Sequence, residues 1–301
     1  MDVSVIIVNY NTKDLTKQCI DSIFEHTSDV TFEVLLVDNA STDGSVELFE
    51  KDTRIRFLES GCNLGLRKAN NLGAQNAEGK YLLLLNSDTI LLNNAIKLFF
   101  DKMESVGQEV GCMGCLLQDA HRQYMHSYAE LPNVKNMLRI LVWEQLFSFL
   151  GFKTWEMDAM ENRKADPSFF QVGYVTGADL FIRRCAVETC GLFDPDFFMY
   201  YEDSELQSRY AKHGFYSYIY DGPQIVHLEG HSSKQGFSKR QLLIFDGMQR
   251  YLSKTQDCWK VLLLRLLLLI KVPYTIWSFD FNLRESMDYL RILFRGHLNY
   301  K

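Results

Sequence analysis

Residues 81–88, which read YLLLLNSD, decide the fold that this sequence predicts. Tyr81 to Leu85 is an unbroken apolar run, typical of a strand that helices cover on both faces of a parallel sheet. Asn86, Ser87 and Asp88 follow at its carboxyl end, the edge at which open α/β sheets bind ligands. A carboxylate there can hold a hard divalent cation, and the cation can neutralise a diphosphate. The alternative is a polar turn that merely ends the strand.

Composition indicates a folded intracellular protein. The chain has 301 residues, of which 47% are hydrophobic, and it can bury a substantial core. Its net charge of -6 argues against a nucleic-acid-binding footprint spread over the whole surface, and local basic patches are compatible with it. The first ten residues, MDVSVIIVNY, lack the features of a signal peptide, and the seven cysteines are an odd set that suits reduced thiols. We therefore expect a cytoplasmic protein.

Strands alternate with helices along the first third of the chain. Thr12 is a favourable N-cap, and apolar residues recur every four positions after it, so a helix should follow the first strand to about His26. Such alternation predicts a mostly parallel central sheet with right-handed crossovers. The predicted strands are Ser4–Val8, Phe32–Val37, Ile55–Leu58, Tyr81–Leu85 and Val110–Leu117, and the predicted helices include Ser45–Lys51 and Asn94–Met103.

Polar residues collect at the carboxyl edge of this predicted sheet. Each cluster alone could be an ordinary polar loop. Together they suit a nucleoside diphosphate, with Asp38 on the base or ribose, Arg67 on phosphate and Asp88 acting through a metal. The residues that we expect at this site are Asn9, Asn11, Asp38, Asn63, Gly65, Arg67, Asn86, Ser87 and Asp88.

A second informative region begins at Val172. The apolar stretch VGYVTGADLFIRR predicts a strand, and the aromatic loop Phe197–Tyr201 leads into Glu202 and Asp203 at a predicted helix N-terminus. Acidic residues in a first helical turn often only complement the helix dipole. The functional alternative is that one of the two carboxylates is a general base.

His227 stands at the end of a further predicted strand, Ser217–Val226. A strand-end histidine is commonly structural. Because it follows two candidate carboxylate sites, we expect it to bind a metal together with Asp88, as imidazole and carboxylate suit manganese or magnesium.

Two helical segments are unusually apolar. Residues 259–279 read WKVLLLRLLLLIKVPYTIWSF, but three basic residues and Pro273 interrupt them, so we reject a membrane span. An interfacial helix with basic side chains that reach the lipid headgroups fits better, and a helix packed in the core is the alternative. The aromatic helix predicted over Val134–Phe149 is either a packing flap or part of an acceptor or membrane-facing surface.

In this order and spacing, the motifs resemble family-2 glycosyltransferases of the GT-A fold, and in particular their rhamnosyltransferase-like branch in bacterial surface polysaccharide synthesis. The resemblance covers about three quarters of the chain. The matching pieces are SVIIVNYN, VDNASTDGS, the NLG loop, LLNSD, VTGAD with IRR, GLFDPDFFMYYEDSEL and HLEGHSS. A Rossmann-type oxidoreductase is disfavoured because no glycine motif follows the first strand.

The resemblance implies a Rossmann-like GT-A domain over residues 1–235, with a nucleotide-binding half over 1–118 and an acceptor and catalytic half over 170–235. Residues 236–301 would then be a helical tail. It implies that Asp38 contacts the nucleotide, that NSD replaces the DxD motif that holds Mn or Mg, and that Asp203, with Glu202 as the alternative, is the base. It also implies that His227 is a ligand of the metal or of the diphosphate. Asn86 departs from the first aspartate of DxD and leaves one carboxylate fewer, so the metal would bind more weakly or Asn86 would contact the sugar instead.

The expected activity is inverting, metal-dependent transfer of a hexosyl group from a nucleotide-diphosphate sugar to an acceptor hydroxyl. The expected acceptor is a lipid-linked glycan, which would place the enzyme at the inner face of the cell membrane through its tail. The alternative function is a non-catalytic sugar-nucleotide-binding or membrane-binding protein that keeps the fold.

Overall fold

The computed structural model describes residues 1–138, 168–228 and 236–295. Internal contacts divide the chain into two compact units. The first contains the described residues of Met1–Ala129, Asn162–Pro195 and Leu206–Lys234, and the second those of Glu130–Glu161, Asp196–Glu205 and Gln235–Lys301. We keep the domain boundary at residue 235 as a proposal, since the second unit also takes in two earlier segments.

An eight-stranded sheet forms the centre of the first unit, in the order β3-β2-β1-β4-β10-β6-β11-β8. Strands β1 to β4 run parallel to one another. Strand β10 is antiparallel to both β4 and β6, and β8 is antiparallel to β11, so the sheet is mostly parallel, as predicted. The strands are β1 Val3–Asn9, β2 Phe32–Asp38, β3 Arg56–Glu59, β4 Tyr81–Asn86, β6 Val110–Gly114, β8 Phe169–Val172, β10 Asp179–Arg183 and β11 Tyr216–Tyr220.

The predicted apolar run is a central strand of this sheet. Residues 81–85 are all buried, and β4 pairs with β1 on one side and with β10 on the other. The ring of Tyr81 stacks on that of Phe181, which stacks in turn on Phe99 from a covering helix. Helices therefore shield the strand from water, which explains why its sequence does not alternate between apolar and polar residues. The helices that lie entirely in the described part of the first unit are Lys13–His26, Ser45–Phe49, Leu66–Asn76, Ala95–Ser105 and Arg184–Cys190, and the helix Glu202–Lys212 lies in it from Leu206 onward.

The structure corrects the predicted strand Ser217–Val226. Strand β11 ends at Tyr220, and after Asp221, Gly222 and Pro223 the chain forms a separate strand, β12, over Ile225–His227. Pro223 has no N–H to donate to a ladder, and the Asp-Gly-Pro sequence favours a turn. Strand β12 pairs with β5, Thr89–Leu91, in a two-stranded antiparallel ribbon.

The predicted strand across VGYVTGADLFIRR is also divided. Strand β8 ends at Val172, Tyr174–Val175 forms the short strand β9 paired with β7, Tyr128–Ala129, and β10 begins at Asp179. Residues 176–178, which contain Thr176 and Gly177, make the break between them. The strand predicted over Val110–Leu117 ends earlier, at Gly114.

The second unit is helical. Its helices Phe237–Thr255, Cys258–Ile270 and Leu283–Arg295 share one buried apolar cluster, and the short helix Val272–Ser278 lies between the last two. Of the helix predicted over Val134–Phe149, residues 134–138 are helical and the remainder lies outside the described residues.

No single helix among the described residues has both the length and the apolar composition to cross a bilayer. The pair Cys258–Ile270 and Val272–Ser278, bent by 66°, meets these criteria when the two helices are taken together.

Candidate nucleotide and metal site

Asp88 and His227 meet at the carboxyl edge of the sheet. Asp88 follows β4, and the pairing of β5 with β12 places His227 opposite Thr89. The backbone N–H of Leu228 donates to the carbonyl of Asp88 at 2.9 Å. Nε2 of His227 consequently lies 3.2 Å from Oδ1 of Asp88, whose side chain is 2% exposed. Two residues far apart in the sequence thus form the pair that was predicted to bind a metal.

Asn86 and Ser87 line the same edge. Nδ2 of Asn86 lies 3.3 Å from Nε2 of His227. The backbone N–H of Asn86 donates to the carbonyl of Ala178, which fixes this residue against the start of β10. The buried Ser87 hydroxyl lies 3.1 Å from that of Thr12, at the start of the first helix. The NSD sequence is therefore held by contacts on both of its sides.

The donor atoms of this pair fit a divalent cation that also binds substrate. Among the described residues, no group of three or more His, Cys, Asp or Glu side chains could hold a metal ion. Oδ2 of Asp88 is buried and has no hydrogen-bond partner within that part of the chain. The 3.2 Å between Oδ1 of Asp88 and Nε2 of His227 is close to the roughly 3 Å edge of an octahedron with bonds of about 2.1 Å. A cation held by two protein ligands leaves positions for phosphate oxygens, as magnesium sites commonly do.

Asn9 and Asp38 form a buried polar pair at the neighbouring strand ends. Nδ2 of Asn9 donates to Oδ1 of Asp38 at 2.7 Å and to the Ser41 hydroxyl at 3.0 Å. Oδ1 of Asn9 accepts hydrogen bonds from the hydroxyls of Thr12 and Thr16. These four bonds use the full capacity of the Asn9 amide. They support a positioning role for Asn9, and its contact with a nucleotide stays a prediction.

The remaining oxygen of Asp38 orders the following loop. The N–H of Ser41 donates to Oδ2 of Asp38 at 2.9 Å. Asn11, whose φ is 55°, accepts the N–H of Thr42 at 2.7 Å. The loops after β1 and β2 are thereby joined, which places Asn11 and Asp38 at one edge of the sheet.

Thr12 precedes the helix Lys13–His26, as predicted, but its side chain does not cap that helix. The Thr12 hydroxyl donates to Asn9 instead, and the N–H of Lys13 donates to Oδ2 of Asp43 at 2.9 Å. A carboxylate from the next loop thus occupies the position expected of the N-cap side chain.

The NLG loop is tied to Asn39, a residue that sequence reasoning passed over although it follows Asp38 directly. Nδ2 of Asn39 donates to Oδ1 of Asn63, and Oδ1 of Asn39 accepts the N–H of Leu64 at 2.8 Å. Gly65 has a φ of 79°, a conformation that favours glycine. The buried Arg67 is the second residue of the helix that follows. The loop and this helix start therefore face the same strand ends as Asp38.

Glu202 and Asp203 belong to the second unit and are the first two residues of the helix Glu202–Lys212, as predicted, whose residues from Leu206 onward belong to the first unit. Tyr200 and Tyr201 before them both have positive φ, at 67° and 64°. Two consecutive left-handed residues that are not glycine are costly, and such strain concentrates at functional sites.

The aromatic loop before Glu202 is anchored by the tail helix Phe237–Thr255. A Cβ on Gly247 would lie 2.5 Å from the carbonyl oxygen of Tyr200, so only glycine permits this close approach. Nζ of Lys254 lies 2.8 Å from Oδ2 of Asp196, and the rings of Tyr201 and Tyr251 are 5.9 Å apart. Sequence reasoning did not assign Gly247 to the site, because its role depends on a contact with a residue far away in the sequence.

Asp179, the first residue of β10, is a second group that sequence reasoning did not assign. Its side chain is fully buried and accepts the N–H of Cys115 at 2.7 Å through Oδ2. Oδ1 is buried without a hydrogen-bond partner among the described residues. Burial raises the pKa of Asp179 to about 7, and the Cys115 N–H opposes that shift only in part. The sequence feature that could have identified Asp179 is the presence of a carboxylate inside an otherwise apolar stretch.

Comparison with known proteins shows which family the chain is similar to. The family model described as Glycosyl transferase family 2 matches residues 4–155, about half of the chain. A relative from Mycobacterium tuberculosis (strain CDC 1551 / Oshkosh), named N-acetylglucosaminyl-diphospho-decaprenol L-rhamnosyltransferase, is 28% identical over 212 residues, which is 66% of this chain and 67% of the relative.

Two solved structures have the same fold. The mannosyltransferase PcManGT from Pyrobaculum calidifontis, in complex with GDP-Man and Mn²⁺, has a TM-score of 0.54 at 18% identity over 84% of this chain and 63% of that chain. S. aureus TarS 1-349, in complex with UDP-GlcNAc, has a TM-score of 0.55 at 16% identity over 97% of this chain and 79% of that one. These likenesses show the fold alone.

The strand order, the polar residues at the strand ends and the family match lead to one conclusion. The chain belongs to glycosyltransferase family 2 and is a glycosyltransferase with the GT-A fold.

Proposed function

We propose that this glycosyltransferase moves a sugar from a nucleotide-diphosphate donor to an acceptor hydroxyl in one displacement that inverts the anomeric configuration, and that it needs a divalent cation. The observation that carries the proposal is the contact between Asp88 and His227 at 3.2 Å, at the strand edge that also holds the Asn9–Asp38 pair. One solved structure with the same fold contains GDP-Man with Mn²⁺ and another contains UDP-GlcNAc, which supports a donor of this class.

The donor would bind along the strand ends of the first unit. Asp38, oriented by Asn9 and Ser41, would accept hydrogen bonds from the base or ribose. Arg67 and the loop that contains Asn63 and Gly65 would contact the phosphates, because a guanidinium and exposed backbone N–H groups suit an anion. Asn11 and Asn86 would contact the donor through their side-chain amides. Ser87 lies between Asn86 and Asp88 and would therefore also be next to the donor.

Asp88 and His227 would hold manganese or magnesium. The bound cation would offset the charge of the diphosphate and make the nucleoside diphosphate a better leaving group. Asn86 keeps its amide 3.3 Å from the imidazole, so this site has one carboxylate fewer than a DxD site, and we expect weaker binding of the cation.

The protein then has to position two substrates and remove one proton. The acceptor oxygen forms a bond to the anomeric carbon while the bond from that carbon to the diphosphate oxygen breaks. The acceptor proton passes to a carboxylate, for which we propose Asp203, with Glu202 as the alternative. A single displacement needs no enzyme nucleophile and predicts an inverted product.

We propose a lipid-linked glycan as the acceptor and surface polysaccharide synthesis as the setting. The support is the mycobacterial relative, whose name specifies a diphospho-decaprenol acceptor and L-rhamnosyl transfer. An acceptor of this kind would bring the enzyme to the face of a membrane. Nucleotide-activated L-rhamnose is accordingly the first donor to test, beside UDP-GlcNAc and GDP-mannose.

The test is release of nucleoside diphosphate from each donor by the purified full chain, with manganese, with magnesium and with chelator. Asp88→Asn removes a ligand charge with little change in shape, so it should abolish cation-dependent donor binding. Asp203→Asn should keep donor binding and lower kcat by about 10²–10⁴-fold, with Glu202→Gln as the matched variant that decides which carboxylate is the base. Asp101→Asn, at an exposed ion pair, is the control.

The outcomes separate the alternatives. Proton NMR of the product gives the anomeric configuration, and a retained configuration would rule out a single displacement. Donor binding without turnover, unaffected by substitution of either Glu202 or Asp203, would favour a non-catalytic binding protein. Full activity in the presence of chelator would contradict the proposed requirement for a divalent cation.

A further inference from the structure

The helix Cys258–Ile270 in the second unit is apolar on two opposite faces. Val261, Leu264 and Leu268 pack into the core of that unit. Five other apolar residues are spaced three or four positions apart and therefore lie along the opposite face. They are exposed to water as follows: Trp259 65%, Leu262 56%, Leu263 42%, Leu266 52% and Ile270 77%.

The helix Leu283–Arg295 repeats the arrangement. Its residues Tyr289, Ile292 and Leu293 belong to the same core, so its opposite side faces outward. Leu283 is 81% exposed, Met287 48% and Phe294 70%, at a spacing of four and seven residues that places them on one face. Arg284, Arg291 and Arg295 follow at the positions that border this face along one side.

Aromatic residues and charge distinguish this surface from an ordinary exposed helix. Trp277 is 79% exposed and Tyr274 59%, on the short helix between the other two. Residues 258–295 contain six basic and three acidic side chains, whereas the whole chain has a net charge of -6. Exposed Trp and Tyr beside basic residues are typical of the boundary between lipid headgroups and acyl chains.

We propose that the exposed apolar faces of Cys258–Ile270 and Leu283–Arg295, with Tyr274 and Trp277, form a surface that lies on an anionic lipid bilayer. Trp277 and the aliphatic side chains enter the boundary of the acyl chains, and the arginines beside Phe294 contact lipid phosphates. The surface deepens the proposed function, since a lipid-linked acceptor would be presented in the same plane.

The basic border of this surface favours a bilayer over a second copy of the protein. A second copy would place the same basic border against itself, and repulsion between like charges opposes that pairing. A bilayer rich in anionic lipid supplies the opposite charge.

The experiment is flotation of the full chain with vesicles of phosphatidylcholine alone or mixed with phosphatidylglycerol, in chelator and without donor. We expect binding to the mixed vesicles that weakens as salt is raised. The variant Arg284→Gln/Arg291→Gln/Arg295→Gln should bind them about 100-fold less tightly. The variant Leu262→Ser/Leu266→Ser/Ile270→Ser should lose at least about tenfold.

Two matched substitutions outside this surface are the controls. Tyr124→Ser removes an aromatic side chain that is 68% exposed in the first unit, and Lys51→Gln removes an exposed charge there. Both should bind vesicles as the unchanged protein does. Circular dichroism and donor binding confirm that the surface variants remain folded, which is expected because the substituted side chains are exposed.

Four results would overturn the inference. The first three are equal vesicle binding by all variants, no binding to anionic vesicles, and a dimer in sedimentation that the Leu262→Ser/Leu266→Ser/Ile270→Ser variant no longer forms. Resistance of bound protein to alkaline extraction would also overturn it, because that behaviour indicates a membrane span. Vesicle binding without sugar transfer leaves the surface intact and refutes only the proposed activity. Sugar transfer without vesicle binding refutes the proposed membrane surface and leaves the proposed activity intact.

Discussion

Replacement of Asp179 by asparagine should change how the stability of the protein depends on pH. Asp179 is fully buried at the start of β10, and it accepts a hydrogen bond from the N–H of Cys115. Asparagine has nearly the same shape and can accept that N–H through its carbonyl oxygen. The substitution therefore removes a titrating group while it leaves the packing of β10 almost unchanged.

The magnitude follows from the pKa of this carboxyl group. Burial raises it from 3.8 to about 7. Between these two values the folded protein binds a proton that the unfolded chain does not, so stability falls as pH rises through this window and is level above it. Each pKa unit corresponds to about 1.4 kcal/mol, so ionisation of Asp179 destabilises the protein by about 4 kcal/mol at pH 8 relative to pH 3.

Urea unfolding of both proteins at pH values from 4 to 8 measures this effect. We expect Asp179→Asn to gain stability relative to the unchanged protein as pH rises, by up to about 4 kcal/mol. At every pH we also expect the substitution to lower the free energy of unfolding by a constant amount of about 1–3 kcal/mol. The buried amide places N–H donors where Oδ1 of Asp179 had no hydrogen-bond partner among the described residues.

The control is Asp101→Asn, whose carboxylate is 52% exposed. Its difference from the unchanged protein should stay within about 0.5 kcal/mol at all pH values. The unchanged protein and Asp179→Asn could instead show parallel curves of unfolding free energy against pH. Asp179 would then titrate in the folded protein with an ordinary pKa, and the argument that burial raises its pKa would be refuted.

Three further predictions concern other buried contacts. Asn9→Ala deletes four hydrogen bonds and should lower the free energy of unfolding by about 2–4 kcal/mol in urea titrations, and a loss below about 1 kcal/mol would contradict the network. Gly247→Ala would bring a Cβ within 2.5 Å of the Tyr200 carbonyl, so kcat should fall while the Kd of the donor, measured by calorimetry, stays the same. Burial raises the pKa of Cys19 to about 12, so a thiol reagent at pH 8 should modify the exposed Cys62 and spare Cys19 until the protein unfolds, as peptide mass spectrometry would show.

Local patterns were sufficient to predict the first four strands of the central sheet, β1 to β4. The run Tyr81–Leu85 has no polar residue to suggest another structure, and polar residues mark where it ends. Strand β1, predicted as Ser4–Val8, extends one residue further at each end. The sites after these strands could be located because parallel strands end at the same edge.

Long-range pairing could not be predicted in the same way. Nothing in the sequence of β10 indicates that it lies between β4 and β6, because an apolar strand can pair with many partners. Strands β5 and β12 contain three residues each, too few for a period to be recognised. Their pairing nevertheless places His227 beside Asp88.

The site residues show a similar limit. The residue type alone does not distinguish an Asn9 amide that contacts a ligand from one whose donors and acceptor are all used in hydrogen bonds within the protein. Asn9 makes four such bonds, which supports a different role from the one that its place at the strand end suggested. The roles of Asp38, Asp203 and the remaining site residues stay predictions.

The place of β10 in the sheet has a consequence for synthesis of the chain. Strand β4 ends at Asn86 and its neighbour β10 begins at Asp179, so about 90 residues separate the two partners. At roughly 5–20 residues per second, a ribosome needs on the order of 5–20 s to make that interval. During this interval one edge of β4 lacks its partner, and so do both edges of β6 once residues 110–114 have been made. Nascent chains of this protein should therefore depend on chaperones that shield strand edges until β10 emerges.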